Sequence, residues 1–262
     1  MVKKFFERFY VGFILFFLYA PIIILIILSF NSSKSRSKWG SFTFHWYKEL
    51  FKNQSIMNAL YTTLIIAFLS ALIATLIGTA AAIAINSMKK TPRTIMIAIT
   101  NIPMLNADIV TGISLMLLFV AMRYTLGFTS VLISHITFNI PYVILSVMPK
   151  LKQLNPHTFE AALDLGASPV YAFFKVIMPD IFPGVLTGFF LAFTMSLDDF
   201  VITHFTKGPE INTLSTKIYT EVRKGIKPEI YALSTLMFIA VLLLLVIINR
   251  RNADKKQPVR KI

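Results

Sequence analysis

The chain has 262 residues, of which 56% are hydrophobic and only 15% charged, more apolar than a soluble domain of this size can bury. Its formal net charge of +14 does not describe a nucleic-acid groove, because the basic residues sit between and beyond long uncharged runs. No cysteine occurs, which excludes disulfides, thiolate metal sites and cysteine nucleophiles.

A helix needs roughly 20 apolar residues to cross the ~30 Å hydrocarbon core of a bilayer. The first such run, Val11 to Phe30, follows Lys3, Lys4 and Arg8. It is longer than a signal-peptide core and no small-residue cleavage site follows, so it reads as the first transmembrane helix. Asn31 to Met57 is polar and carries the aromatic cluster His45, Trp46 and Tyr47, which predicts a loop with a surface helix. Asn58 to Asn86 is the second span, and its small residues Ala67, Ala71, Ala74, Gly78 and Ala82 recur every three or four positions. Such a stripe lets a neighbouring helix approach closely.

After a basic turn at Lys89, Lys90 and Arg93 comes a third span, Thr94 to Met122, interrupted by Pro103, Asn106 and Asp108. The interruption predicts a break or kink near its middle. Phe128 to Met148 is the fourth span, with Pro141 inside it; Phe182 to Phe205 is the fifth; Tyr231 to Asn249 is the sixth, closed by Arg250 and Arg251. The expected fold is one all-α membrane domain over residues 1–262. The tight basic clusters beside spans one, two and six place both termini in the cytoplasm by the positive-inside rule. The loop between spans four and five, with Lys150, Lys152 and Lys175, falls on the same side.

That loop carries two helix-start signals. Asn155 followed by Pro156 opens one helix, Gly166 suits its left-handed end, and Ser168 with Pro169 opens another. The predicted shape is a short helix, a sharp turn and a second helix at the membrane surface. An ordinary amphipathic interhelical loop is the plain alternative.

The stretch resembles the EAA loop of ABC importer permeases, written EAA, three residues, Gly, nine residues, Ile, one residue, Leu-Pro. Glu160, Ala161, Ala162, Gly166 and Pro179 match it, whereas Val176 and Met178 stand where Ile and Leu are usual. Further segments, Ala20 to Ser33, Ser134 to Tyr142 and Ser196 to Phe200, are similar to the PotC-type permeases of the spermidine/putrescine importers. The resemblance covers nearly the whole chain and implies the type I (MetI-like) importer permease fold. It implies an EAA loop that docks into a cleft on a separate ATPase. The implied partners are a second related permease, two ATPase subunits that use ATP and Mg, and an extracytoplasmic polyamine-binding protein. No G-x-x-x-x-G-K-[ST] phosphate loop occurs in this chain, so no cofactor is expected in it and energy must come from a partner. Nothing resembles a nucleophile, base and oxyanion set, and His135, His157 and His204 lack metal-like spacing, which reads them as structural.

Of twelve acidic residues, Asp108, Asp198 and Asp199 fall inside expected spans. Each costs at least ~2.5 to 3.5 kcal/mol at the bilayer centre, so each should face a cavity or a partner. A polyamine joins several ammonium groups by methylene chains, and separated carboxylates with apolar or aromatic surface between them would suit it. Trp46 and Tyr47 are candidates for a cation-π face, worth ~0.5 to 2 kcal/mol, and Ser196 for a neutral acceptor beside the acid pair. Other readings stay open at this point. Asp108 caps the helix that restarts after Pro103; Asp198 and Asp199 serve a salt bridge or a helix end; Trp46 and Tyr47 anchor the interface. The outer loops are rich in Lys and Arg against Glu49, Glu210, Glu221 and Glu229, which would repel free polyamine unless a binding protein delivers it. Permeation of another solute (phosphate, sulfate, iron or thiamine) and ion-driven transport without an ATPase are the competing functions.

Overall fold

The computed structural model describes residues 2–35, 37–225 and 227–253. Among them the regular structure is helical apart from a single bridge, Asn31 to Phe42. Lys3, Lys4, Arg8, Arg36, Arg250 and Arg251, which carry part of the orientation argument, lie outside the residues whose side chains are described. Four helical stretches are long and apolar enough to cross a bilayer: Phe9–Ser29, Gln54–Ser87, Phe128–Gln153 and Pro169–Asp198. A pair of helices bent by 100°, Lys90–Leu105 and Asp108–Ala121, supplies a fifth if taken as one span. The expected sixth span lies in a helix from Pro228 to Ala253, whose side chains are described through Leu243.

The chain forms two compact units, residues 1–57 with 218–262, and residues 58–217. In the first, α1 (Val2–Ser29) and α2 (His45–Lys52) both pack on α12 (Pro228–Ala253). The segment after α1 folds back on itself: the Asn31 side chain donates to Lys38 O and accepts from the N–H groups of Ser33 and Gly40. Asn53 Nδ2 donates to Glu229 Oε2 at 2.9 Å, tying the end of α2 to the start of α12.

The second unit is built on α3 (Gln54–Ser87), α6 (Phe128–Gln153) and α9 (Met178–Asp198). Ala71, Ala74 and Ala82 of α3, Val143 and Val147 of α6, and Ile181 and Ala192 of α9 form its buried core. The small-residue stripe on α3 meets α6 closely, for a Cβ at Gly78 would stand 2.8 Å from Val143 Cβ. Gly184 and Gly188 do the same on α9, where an added Cβ would meet Ser146 O at 2.9 Å and Val143 Cα at 3.2 Å. Close backbone approach is how helices associate where lipid removes the hydrophobic drive.

Between α4 (Lys90–Leu105) and α5 (Asp108–Ala121) the chain breaks at Asn106 and Ala107. The break falls after Pro103, which stays inside α4. The run read as one span from Phe182 to Phe205 is also broken: α9 stops at Asp198 and a short α10 (Val201–Thr206) begins after Phe200. α10 packs on α5, with Gly112 facing Ile202 and Phe205.

Candidate functional site

The two breaks meet at one cavity. It has a volume of about 310 Å³ and its lining includes Asp108, Asp198, Asp199, Phe138, Tyr142 and Phe200. All three intramembrane acids named from the sequence therefore line the same space, each in a different local setting.

Asp108 is the first residue of α5 and is exposed. The helix is entered through Ala107, with no side chain hydrogen-bonded to its first amides, so the Asp108 carboxylate is not consumed as a cap. The positive end of the helix dipole still favours an anion there. Asp198 ends α9 and is likewise exposed. Its backbone carbonyl accepts from Ser215 Oγ at 3.3 Å, while its carboxylate has no hydrogen bond from another described residue.

Asp199 is different. Its Oδ1 accepts from Ile202 N at 3.2 Å, and its Oδ2 accepts from Thr203 N at 2.8 Å and from the Thr203 hydroxyl at 2.7 Å. These are the orphan amides at the opening of α10, so the carboxylate starts that helix. The His135 Nε2 stands 3.4 Å from the same Oδ2, and the side chains of His135 and Asp199 are 1% and 9% exposed.

His135, read from its lack of metal-like spacing as structural, sits at the centre of this arrangement. Its Nδ1 is hydrogen-bonded to Ser196 Oγ and its Nε2 to Thr203 Oγ1 at 2.9 Å. Ser196 is bonded in turn to Ser70 Oγ at 3.0 Å. A continuous polar chain thus runs from Ser70 on α3 through Ser196 on α9 and His135 on α6 to Thr203 and Asp199 at α10. Ser196, the candidate neutral acceptor beside the acids, is buried and its hydroxyl is engaged on both sides. The signal for His135 in the sequence is its spacing of four from Asn139, which puts two polar groups on one face of an apolar helix.

Trp46 and Tyr47 belong to the first unit. Trp46 is 6% exposed and its Nε1 donates to Asn31 O at 2.7 Å. Tyr47 Oη is bonded to Ser29 Oγ at 2.7 Å, and its ring lies among Phe30 and Phe44. Their polar atoms are spent on the fold of the segment after α1.

The loop between α6 and α9 has the two-helix form. Asn155 Oδ1 accepts from His157 N at the start of α7 (Pro156–Asp164), and Ser168 Oγ accepts from Tyr171 N at the start of α8 (Pro169–Ala172). Gly166 turns the chain between them at φ 87°, where its N–H donates to Leu163 O and Ala167 N to Ala162 O. Glu160 is exposed and paired with His157 Nδ1 at 3.2 Å. Leu165 is 89% exposed, and Val170, Tyr171 and Phe174 also face outward. So much apolar surface on a polar loop marks a contact face. After α8 the helix widens into a π turn, Phe173–Ile177, before continuing as α9.

Residues 74–256 match the family described as binding-protein-dependent transport system inner membrane component. The chain belongs to that family. It is 40% identical over 239 residues to the spermidine/putrescine transport system permease protein PotC of Escherichia coli K12, covering 91% of this chain and 90% of that one. It is 37% identical over 255 residues to PotC of Haemophilus influenzae, covering 96% and 99%. It is 39% identical over 232 residues to the putrescine transport system permease protein PotI of E. coli K12, covering 86% and 83%. In fold it matches a chain of a bacterial ABC transporter that imports alginate, with TM-score 0.72 at 17% identity over 98% of this chain. It also matches a chain of the MetNI methionine ABC transporter, with TM-score 0.58 at 18% identity over 76%. The chain is a multi-pass membrane permease with the ABC importer fold, and ATP hydrolysis belongs to a separate subunit.

Proposed function

We propose that this permease carries polyamines into the cytoplasm. One observation bears most of the weight: Asp108 and the pair Asp198 and Asp199, ninety positions further on, line one cavity whose lining also includes Phe138, Tyr142 and Phe200. Two or more ammonium groups on a flexible apolar chain are matched by separated carboxylates with aromatic surface between them, each cation-π contact adding ~0.5 to 2 kcal/mol. Identity of 40% to a spermidine/putrescine permease supports the same cargo class. Asp108 and Asp198 meet the ammonium groups, and Asp199 adds charge from behind them. Ser196 supports the path from behind the acids, its hydroxyl already bonded.

The chain works beside a second related permease, two ATPase subunits that use ATP and Mg, and an extracytoplasmic polyamine-binding protein. Glu160, Ala161, Ala162, Gly166 and Pro179 form the face that docks the ATPase. Both termini lie in the cytoplasm and the protein sits in the bacterial inner membrane, an orientation supported by the basic clusters at Lys89, Lys90 and Arg93 and at Lys150 and Lys152.

The test is ATP-driven uptake of labelled spermidine by the assembled complex in vesicles, with putrescine, phosphate, sulfate and thiamine as competitors. Uptake that putrescine competes and the anions and thiamine do not is the expected result. Loss of uptake without ATP separates the proposal from ion-driven transport. Failure of any polyamine to be taken up would overturn the cargo assignment.

A further inference from the structure

Of the three acids, Asp199 is the one already in use. Its carboxylate accepts three hydrogen bonds from Ile202 and Thr203, and a buried side chain stands behind it. What stands there is His135, which reaches α10 through Thr203 and Asp199, and α9 through Ser196. Its bonds join both sides of the break after Asp198.

The donor order explains why a histidine suits this place. The Thr203 hydroxyl donates to Asp199, so its oxygen is left to accept from His135 Nε2–H. His135 Nδ1 then accepts from the Ser196 hydroxyl, which accepts from Ser70. Every hydroxyl proton points toward the carboxylate, and each hydroxyl and ring nitrogen from Ser70 to Asp199 has a partner. With a proton on both ring nitrogens the order also closes, because Ser196 and Ser70 reverse and Ser70 donates to Ala67 O at 3.2 Å. The carboxylate keeps its partners in both arrangements.

We propose that His135 is a positioning residue: it holds Asp199 to the start of α10 and so leaves Asp108 and Asp198 as the carboxylates that meet a cation. This rests on the cation-path reading above. His135 does not touch cargo; it decides how many carboxylates the cargo meets and where the end of α9 is fixed against α10.

The absence of cysteine makes the test direct. Met195 lines the cavity, and a single Met195→Cys in the full complex reports on it through its reaction rates with a permanently cationic and a neutral methanethiosulfonate. No cargo is needed. A cationic-to-neutral ratio above that of free cysteine, lowered by Asp198→Asn, tests the cation-path reading itself, and its absence overturns that reading. For His135, His135→Ala is expected to raise the ratio by about threefold, as the Asp199 carboxylate, no longer backed by Nε2, turns further into the cavity that it already lines. Asp199→Asn in the same chain should abolish the rise. His135→Gln, whose amide can occupy the place of Nε2, should restore the parent ratio, and His135→Asn, which reaches only the Nδ1 place, should not.

An unchanged ratio in His135→Ala overturns the proposal, as does a rise that survives Asp199→Asn. So does equal behaviour of the Gln and Asn variants, a comparison that remains decisive if the Ala variant fails to assemble. A merely structural histidine would disturb the cavity in a way that neither Asp199→Asn nor Gln reverses.

Discussion

Gly78 on α3 faces Val143 on α6 so closely that a Cβ on the glycine would lie 2.8 Å from the Cβ of the valine. The two helices pack at a distance that only this pairing permits. Gly78→Ala should therefore destabilise the permease by about 1 to 3 kcal/mol through overpacking. A fall in the thermal midpoint in detergent reads the effect. Val143→Gly, which removes the Cβ that the new methyl would strike, should cost less in the Gly78→Ala background than in the parent, and equal costs in both would refute the contact as the cause.

Asp198 and Asp199 are neighbours in sequence with different surroundings, and their amide variants should fail differently. Asp198→Asn removes a carboxylate that no other described residue hydrogen-bonds, so stability should hold while spermidine uptake falls by about tenfold or more. Asp199→Asn weakens the start of α10, and about 1 kcal/mol of stability should go with it. Parallel melting and uptake curves separate the two; identical profiles would count against the division.

Glu160 is exposed and pairs with His157 on the same helical turn, an arrangement that adds little to stability. Glu160→Lys should leave folding and membrane yield unchanged but abolish recovery of the ATPase with the permease in a pull-down. Normal recovery together with normal uptake would remove Glu160 from the docking face.

Gly166 holds φ at 87° between α7 and α8 with open space where a Cβ would go. Gly166→Ala then costs only backbone strain, about 1 kcal/mol. The turn between two docking helices should loosen, and ATP turnover stimulated by cargo should drop more than basal turnover. An equal drop in both would point to damage beyond the turn.

Much of this was legible in the sequence because the signals are local. Asn155, Gly166 and Ser168 each dictate backbone geometry within a few residues, and the structure makes the corresponding caps and turn. The three acids stood out because charge in an apolar run is expensive wherever it lies. The role of His135 was not legible, because its partners Ser196 and Thr203 lie 61 and 68 positions away and only packing brings them together. The break in the fifth span was hidden for another reason. Phe200 to Phe205 is as apolar as what precedes it, so hydropathy runs straight through the point where Asp199 starts a new helix. Nor does the sequence show that the Trp46 indole N–H meets a backbone carbonyl fifteen positions earlier.

The π turn at Phe173–Ile177 interrupts an otherwise unbroken helical run from Pro169 to Asp198. An α-helix rotates its side chains by about 100° per residue, so the wider turn resets the angular phase between what comes before it and what comes after. Tyr171 and Asp198 are therefore clocked against each other by five residues near the start of the run. Deleting one residue there would leave both ends folded and pointing the wrong way, like a key whose bow has been turned on its blade.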